Sequence, residues 1–326
     1  MEFTTLGRSH ARASVLGLGT GGPSRVGLSY GHTEAQSIAV VQEAFRLGIN
    51  VIDTAEGYGS EGIVGKALGD PQAGIRRSDL ILCSKASCQR DRQPRPLADF
   101  KSSVYGSLEK MGLDYLDLYY IHALYAEHVD HALDVILPGL QELKREGVVR
   151  SVGISEHFNS DTRHEALLRV MQEAPESVDV LMIGFNILNS SARRALLPLC
   201  LQHNVGVTCM FAVRQAFSRP SVLSRIVGEL VAAGQVDGRK VDVSDPLGFL
   251  LREGHAASVT EAAYRYCRQE PGIDVVLSGT GNLEHLRQNV AYILQPPLPD
   301  AAKARLDDIF GRVDTVSGQD KPYSKK

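Results

Sequence analysis

The chain has 326 residues, 43% of them hydrophobic and 22% charged, with a formal net charge of -3 at pH 7. That length suits a single large α/β core, the near-neutral charge gives no electrostatic reason to expect a nucleic-acid partner, and no apolar run reaches the roughly 18 residues of a membrane span. Five irregularly spaced cysteines, several in apolar runs, read as reduced buried thiols, and with no cationic-then-apolar start they point to a reducing cytoplasm.

In chain order, a short N-terminal segment with the pattern of a β-hairpin precedes eight apolar runs that read as strands: 14–20, 50–54, 80–85, 116–122, 151–155, 180–186, 205–211 and 274–279. Helical patterns alternate with them at 33–48, 60–68, 97–112, 131–146, 161–173, 191–203, 258–270 and 283–294. Eight βα units predict a closed (β/α)8 TIM barrel, whose site is built at the carboxyl ends of the strands, with a doubly wound open sheet as the competing arrangement. The stretch 212–257, rich in Gly, Asp, Arg and Ser, reads as a long irregular loop after the seventh strand that could serve as a lid. No linker or low-complexity segment divides the chain, so residues 1–326 are expected to form one domain, with about 315–326 a mobile tail.

Three consecutive strands end in chemistry. "NVIDTAEGYG" carries Asp53 at a strand end and Tyr58 in the loop beyond it, "LILCSK" ends in Lys85, and "LDLYYIH" ends in His122. Neighbouring parallel strands lie about 4.8 Å apart, so in a barrel these four groups can converge on one rim. Each alone has a plain explanation as a solvated strand end, a turn cap or a core histidine. Together they suit proton transfer to a carbonyl oxygen. A phenol, with an ordinary pKa of about 10, is a poor acid or base near neutrality unless a cation favours its ionised form. Lys85 can be that cation, Asp53 can keep it charged and aimed, and His122 can orient the carbonyl or relay the proton. Such a site contains no reductant of its own, so carbonyl reduction would need a hydride-donating cofactor. The three histidines of "HALYAEHVDH" match no standard zinc spacing, and no metal is expected.

With "LGRSHARASVLGLGT", "NVIDTAEGYG", "LILCSKAS", "LEKMGLDYLDLYYIH", "LKREGVVRSVGIS" and "SGTGNLEHLRQN" in this order along nearly the whole chain, the sequence closely resembles the aldo-keto reductase family. The resemblance implies a (β/α)8 barrel, an extended nicotinamide dinucleotide across the strand ends, and reversible reduction of an aldehyde, ketone or sugar-like carbonyl. It makes Tyr58 the proton donor, tuned by Lys85 and Asp53, with His122 orienting the carbonyl.

The implied dinucleotide contacts are Gly19, Thr20, Asp53, Ser155, Glu156, Met182, Met210, Phe211, Ala212, Arg214, Gly279, Thr280, Gly281, His285, Gln288 and Asn289, with Tyr30 and Tyr125 joining Tyr58 and His122 around the substrate. Several depart from the family pattern. Where Ser-Asn is common after the fifth strand the chain has Ser155-Glu156, a usual Gln in the sixth strand is Met182, and either Met210 or Phe211 stands where a tyrosine often stacks on the nicotinamide. The turn "GTGN" before the last helix suits a phosphate at a helix start, or a plain loop with an Asn cap. The basic residues that hold the 2′-phosphate of NADP are replaced there by Gly279, Gly281 and His285, leaving Arg287, Arg214 or Lys240 as substitutes. NADP(H) is thus the family default and NAD(H) a second candidate. A cofactor-binding regulatory or redox-sensing subunit of the same fold, with little turnover, is the rival reading.

Overall fold

The computed structural model describes residues 1–320. Eight parallel strands close into a barrel: β1 (Leu16–Gly19), β2 (Val51–Asp53), β3 (Ile81–Ala86), β4 (Leu116–Leu124), β5 (Val149–Glu156), β6 (Val180–Gly184), β7 (Gly206–Met210) and β8 (Val275–Ser278). The closing seam pairs β8 with β1, Ser278 opposite Leu18. Helices α1 (Glu34–Arg46), α2 (Glu61–Leu68), α3 (Leu97–Met111), α4 (Leu137–Arg145), α5 (Glu165–Glu173), α6 (Leu196–Gln202), α7 (Val259–Arg268) and α8 (Leu283–Ile293) follow their strands. Their starts are legible: Thr33 and Gln36 form a capping box on α1, and Ser258 and Asn282 cap α7 and α8.

Two apolar layers hold the barrel. The outer one, between sheet and helices, takes Leu18, Ile52, Leu82, Tyr119, Ile154 and Leu181, while the lumen takes Val51, Ile81, Cys83, Leu118, Tyr120, Val180, Met182 and Val275. Strand side chains alternate with a period of two, so the parity that sends Val51, Cys83 and Tyr120 inward also sends Asp53, Lys85 and His122 inward at the carboxyl end. The N-terminal hairpin, Phe3–Leu6 paired with Ala11–Ser14, brings Leu6 and Ala13 into the lumen cluster. Leu6 packs against Gly206 at the start of β7, where a side chain would collide with it.

Two expectations change. The stretch 212–257 is a long connection, yet it is largely ordered as helices Gln215–Ser218, Pro220–Ala232 and Gly248–Arg252. Val222, Leu223, Ile226, Val227 and Leu230 bury one face of the middle helix, a 3.6-residue period that the polar composition around it masks. A further helix, Asp300–Phe310, follows α8. The expected mobile tail is held over its described part: Asn189 Nδ2 donates to Val316 O (3.0 Å) and Asn186 Nδ2 to Ser317 O (3.3 Å). Residues 321–326 of that tail lie outside the described residues.

Candidate active site

Lys85 sits fully buried at the end of β3. Its Nζ lies 2.7 Å from each oxygen of Asp53 and donates to Thr54 O at 2.7 Å. Burial alone would strip the ammonium of its proton, and the Asp53 carboxylate more than reverses this, so Lys85 is held above the ordinary lysine value. The ammonium also stands 4.9 Å from the centroid of the Tyr58 ring, where it favours negative charge developing on the phenol oxygen. His122 comes in from β4, with Nε2 at 3.2 Å from Tyr58 Oη and the two rings edge to face. Burial, with Lys85 and His157 adding to it, pushes His122 down to about 3, so its imidazole is neutral near pH 7. A bulge follows it: Ala123 takes φ 52° and its N–H donates to Ser155 Oγ at 3.2 Å.

Tyr58 is aimed by its own loop. The turn Glu56–Tyr58 ends at Gly59 with φ 72°, and a side chain at Gly21 would overlap the phenol ring. Glu56 is clamped by Ser103, whose Oγ donates to Oε1 at 2.6 Å, and by Arg95 at 3.1 Å. Ser60 Oγ joins Thr20 Oγ1 at 2.8 Å and Thr54 Oγ1 at 3.0 Å, tying the loops after β1 and β2 together. Sequence reading missed Arg95, Ser103 and Ser60 because nothing local marks a residue that acts by holding another loop.

The dinucleotide half is different. Ser155, Met182 and Met210 share the inward parity and line the mouth beyond His122. Glu156, one residue past Ser155, points the other way. Its carboxylate is wholly buried, 2.9 Å from His164 Nδ1, and accepts the Gly184 N–H at 2.6 Å. Glu156 therefore offers nothing to a ligand at the mouth, a correction that follows from the period of two. Thr20 is corrected likewise, since its buried hydroxyl donates to Asp53 O at 3.0 Å, and Ala212 packs into the outer core. Arg214 stacks on Phe211, its Cζ 3.4 Å from the ring centroid, and donates to Asn159 Oδ1 (3.1 Å) and Gln319 Oε1 (2.6 Å). Phe211 itself adopts φ 68°, a conformation that costs a bulky residue about 1–3 kcal/mol.

At the α8 start Asn282 caps the helix. Asn282 Oδ1 accepts from the N–H groups of Glu284 and His285, and Thr280 Oγ1 accepts from Asn282 N. Gly281 packs on the backbone of Val26 and Gly27, too tightly for any side chain. His285 and Gln288 are exposed, whereas Asn289 Nδ2 donates to Ser278 Oγ at 2.9 Å. Of the three candidate cations, Arg287 and Lys240 have anionic partners, Glu43 at 2.7 Å and Asp308 at 2.6 Å.

On the substrate side, Tyr30 is 69% exposed in the turn after β1 and is not drawn into the rim, whereas Tyr125 stacks on His157 at 4.2 Å. His157 escaped the sequence reading. A cleft of about 390 Å3 beside Tyr125 is lined by Gln89, Asp91, Arg92, Glu127 and His128. Among the described residues no group of three or more His, Cys, Asp or Glu could hold a metal ion, and no helix is long and apolar enough to cross a membrane.

A nicotinamide ring fits what lines the mouth. Met182 and Met210 supply an apolar surface, and Ser155 accepts from Ala123 and keeps its own proton to donate; further along the rim, at the β8–β1 seam, Gly279 lies beside Gly19, whose O is 3.6 Å from where a Cβ of Gly279 would begin.

This barrel gathers Asp53, Tyr58, Lys85 and His122 at its carboxyl rim, and its relatives are carbonyl-reducing or alcohol-oxidising oxidoreductases. Residues 15–310 match the model of the Aldo/keto reductase family, and the chain belongs to that family. L-galactose dehydrogenase of Arabidopsis thaliana is 29% identical over 90% of this chain and 89% of its own length. The NADH-specific methylglyoxal reductase of Escherichia coli is 26% identical over 90% and 94%. Among solved structures, an aldo-keto reductase from Bacillus halodurans in its holo form superposes with a TM-score of 0.69 at 25% identity, covering 94% of this chain and 95% of that one. The chain is thus an NAD(P)-dependent oxidoreductase.

Proposed function

We propose that this enzyme interconverts a small polar carbonyl compound and its alcohol, with Tyr58 as the proton donor. The observation that carries this reading is the contact of Tyr58 Oη with neutral His122 at 3.2 Å above a buried, charged Lys85–Asp53 pair. When bound, the nicotinamide supplies the hydride; Ser155 would hold its carboxamide, and Met182 and Met210 its ring. A carbonyl oxygen lodged between Tyr58 Oη and His122 Nε2 is polarised by two donors, provided the imidazole carries its proton on Nε2. As negative charge builds on that oxygen, the phenol proton moves to it, and the charge left on Tyr58 is stabilised by Lys85. Asp53 keeps Lys85 charged throughout, and in the alcohol-oxidising direction the same proton returns to Tyr58.

The polar cleft of Gln89, Asp91, Arg92 and Glu127 beside the Tyr125–His157 stack favours a hydroxylated, sugar-like substrate. The names of two relatives, L-galactose dehydrogenase and D-threo-aldose 1-dehydrogenase, agree with this choice. With Arg287 and Lys240 already paired and glycine at position 279, the 2′-phosphate has few partners, so NADH is expected to serve at least as well as NADPH. The test is a spectrophotometric scan of aldoses, methylglyoxal and simple aldehydes with each dinucleotide, run in both directions. Turnover on a hydroxylated carbonyl with comparable Michaelis constants for the two dinucleotides supports the proposal. Binding without turnover across the panel would favour a regulatory subunit instead, and a large NADPH preference refutes the cofactor assignment.

A further inference from the structure

A line of stacked rings crosses the rim from the loop after β5 to the loop after β7. His164, Phe158 and Phe211 lie nearly parallel: the first two have centroids 5.4 Å apart at 19°, the next two 6.3 Å apart at 23°. The Arg214 guanidinium closes the column on Phe211 at 3.4 Å. Both ends are tied down. His164 is bonded to buried Glu156 at 2.9 Å and to Ser191 Oγ at 3.0 Å, while Arg214 donates to Asn159 and Gln319. Gly184 on β6 leaves room for Phe158, since any Cβ there would run into its ring.

The C-terminal segment fastens the column from outside. Ser317 Oγ donates to the same Asn159 Oδ1 at 2.8 Å, Ala216 N donates to Gly318 O at 3.1 Å, and Asp320 N donates to Gln215 Oε1 at 3.2 Å. Residues 316–320 therefore touch the loops that follow β5, β6 and β7, where the chain turns away from Ser155 and Met210. Phe211, at φ 68°, is the residue at which the chain leaves β7, and contacts of its ring with Phe158 and with the Arg214 guanidinium offset its unfavourable backbone conformation.

We propose that Arg214, latched by Gln319 of the C-terminal segment, is a positioning residue that holds the Phe211 reversal and so sets the β5–β7 rim on which the dinucleotide lies. The proposal rests on the dinucleotide placement given under the proposed function. Arg214 acts through its planar stack and its fork of N–H groups, so charge alone does not replace it. Gln319 contributes an acceptor oxygen.

Isothermal titration with NADH and NADPH, alongside steady-state kinetics, tests this on the full chain with Arg214→Lys, Gln319→Ala and Gln319→Glu. Arg214→Lys and Gln319→Ala are expected to raise the dinucleotide Kd and KM about tenfold, the rise in dinucleotide KM exceeding both the fall in kcat and any change in carbonyl KM. Gln319→Glu keeps the acceptor, gains a charge partner for Arg214, and is expected to bind as tightly as the parent. Parent-like Kd values in both weakening variants overturn the proposal, as does a Gln319→Glu variant no better than Gln319→Ala, or a loss confined to kcat. A parent chain that binds neither dinucleotide overturns the function beneath it, whereas a parent that binds well beside unaffected variants removes the column's role alone.

Discussion

The two halves of the barrel mouth are built on different physics. On the β2–β4 side, Asp53, Lys85, His122 and Tyr58 form a dense, charged and hydrogen-bonded cluster in which most groups are buried and every distance is short. On the β5–β8 side the inward positions carry a hydroxyl, two thioethers and glycines, and the charged residues nearby turn away into their own networks. The proposed proton transfer needs an electrostatic arrangement held in place before the substrate arrives, so changes of residue type are expected to cost most on that half. Holding a flat ring and an extended dinucleotide needs shape, and shape can be reached by many side-chain sets. The departures from the family pattern fall almost wholly on the second side.

The contrast can be broken most forcefully at Tyr58. Tyr58→Phe is expected to lower kcat by about 10²–10⁴-fold while dinucleotide binding stays near the parent value. Undiminished turnover in that variant would remove the proton donor from the site. Lys85→Met leaves Asp53 as an uncompensated buried charge and should cost about 3–5 kcal/mol of stability. Because the same residue favours charge on Tyr58, turnover should collapse too, and chemical denaturation together with kinetics on the surviving folded fraction separates the two effects.

Glu156→Asn sharpens the comparison from the other side, because it restores the family's Ser-Asn pair in sequence only. The new side chain would still point away from the mouth, so dinucleotide affinity should not improve. Stability should fall by about 1–3 kcal/mol through loss of the partner of His164, which can shed its proton in response. A marked gain in affinity would show that the rim is set differently. The smallest effect is expected at Gly279→Lys, where a Cβ meets nothing closer than 3.6 Å. One added cation facing a 2′-phosphate should shift the NADPH-to-NADH preference by about tenfold, read as a ratio of KM values.

Much of this was visible before any coordinates. The eight strands and the helix that follows each of them sit where apolar runs and 3.6-residue periods put them, and Asp53, Lys85 and His122 meet as their strand-end positions suggest. The same parity also holds the answer for Glu156: if Ser155 faces in, its neighbour faces out. Reading the pair as a motif concealed that. The helix Pro220–Ala232 was masked by polar flanks although its apolar residues recur at helical spacing.

Sequence alone determined the barrel and the inward-facing strand-end residues Asp53, Lys85 and His122, because strand alternation and chain order translate directly into position. Tertiary structure decided how Arg95 and Ser103 steady the loop of Tyr58, which way Arg214 faces, that Arg287 and Lys240 are already paired, and that residues 316–320 fasten the loops after β5 to β7. Such contacts join segments tens to more than a hundred residues apart and depend on where surface loops come to rest. No local period or spacing encodes that.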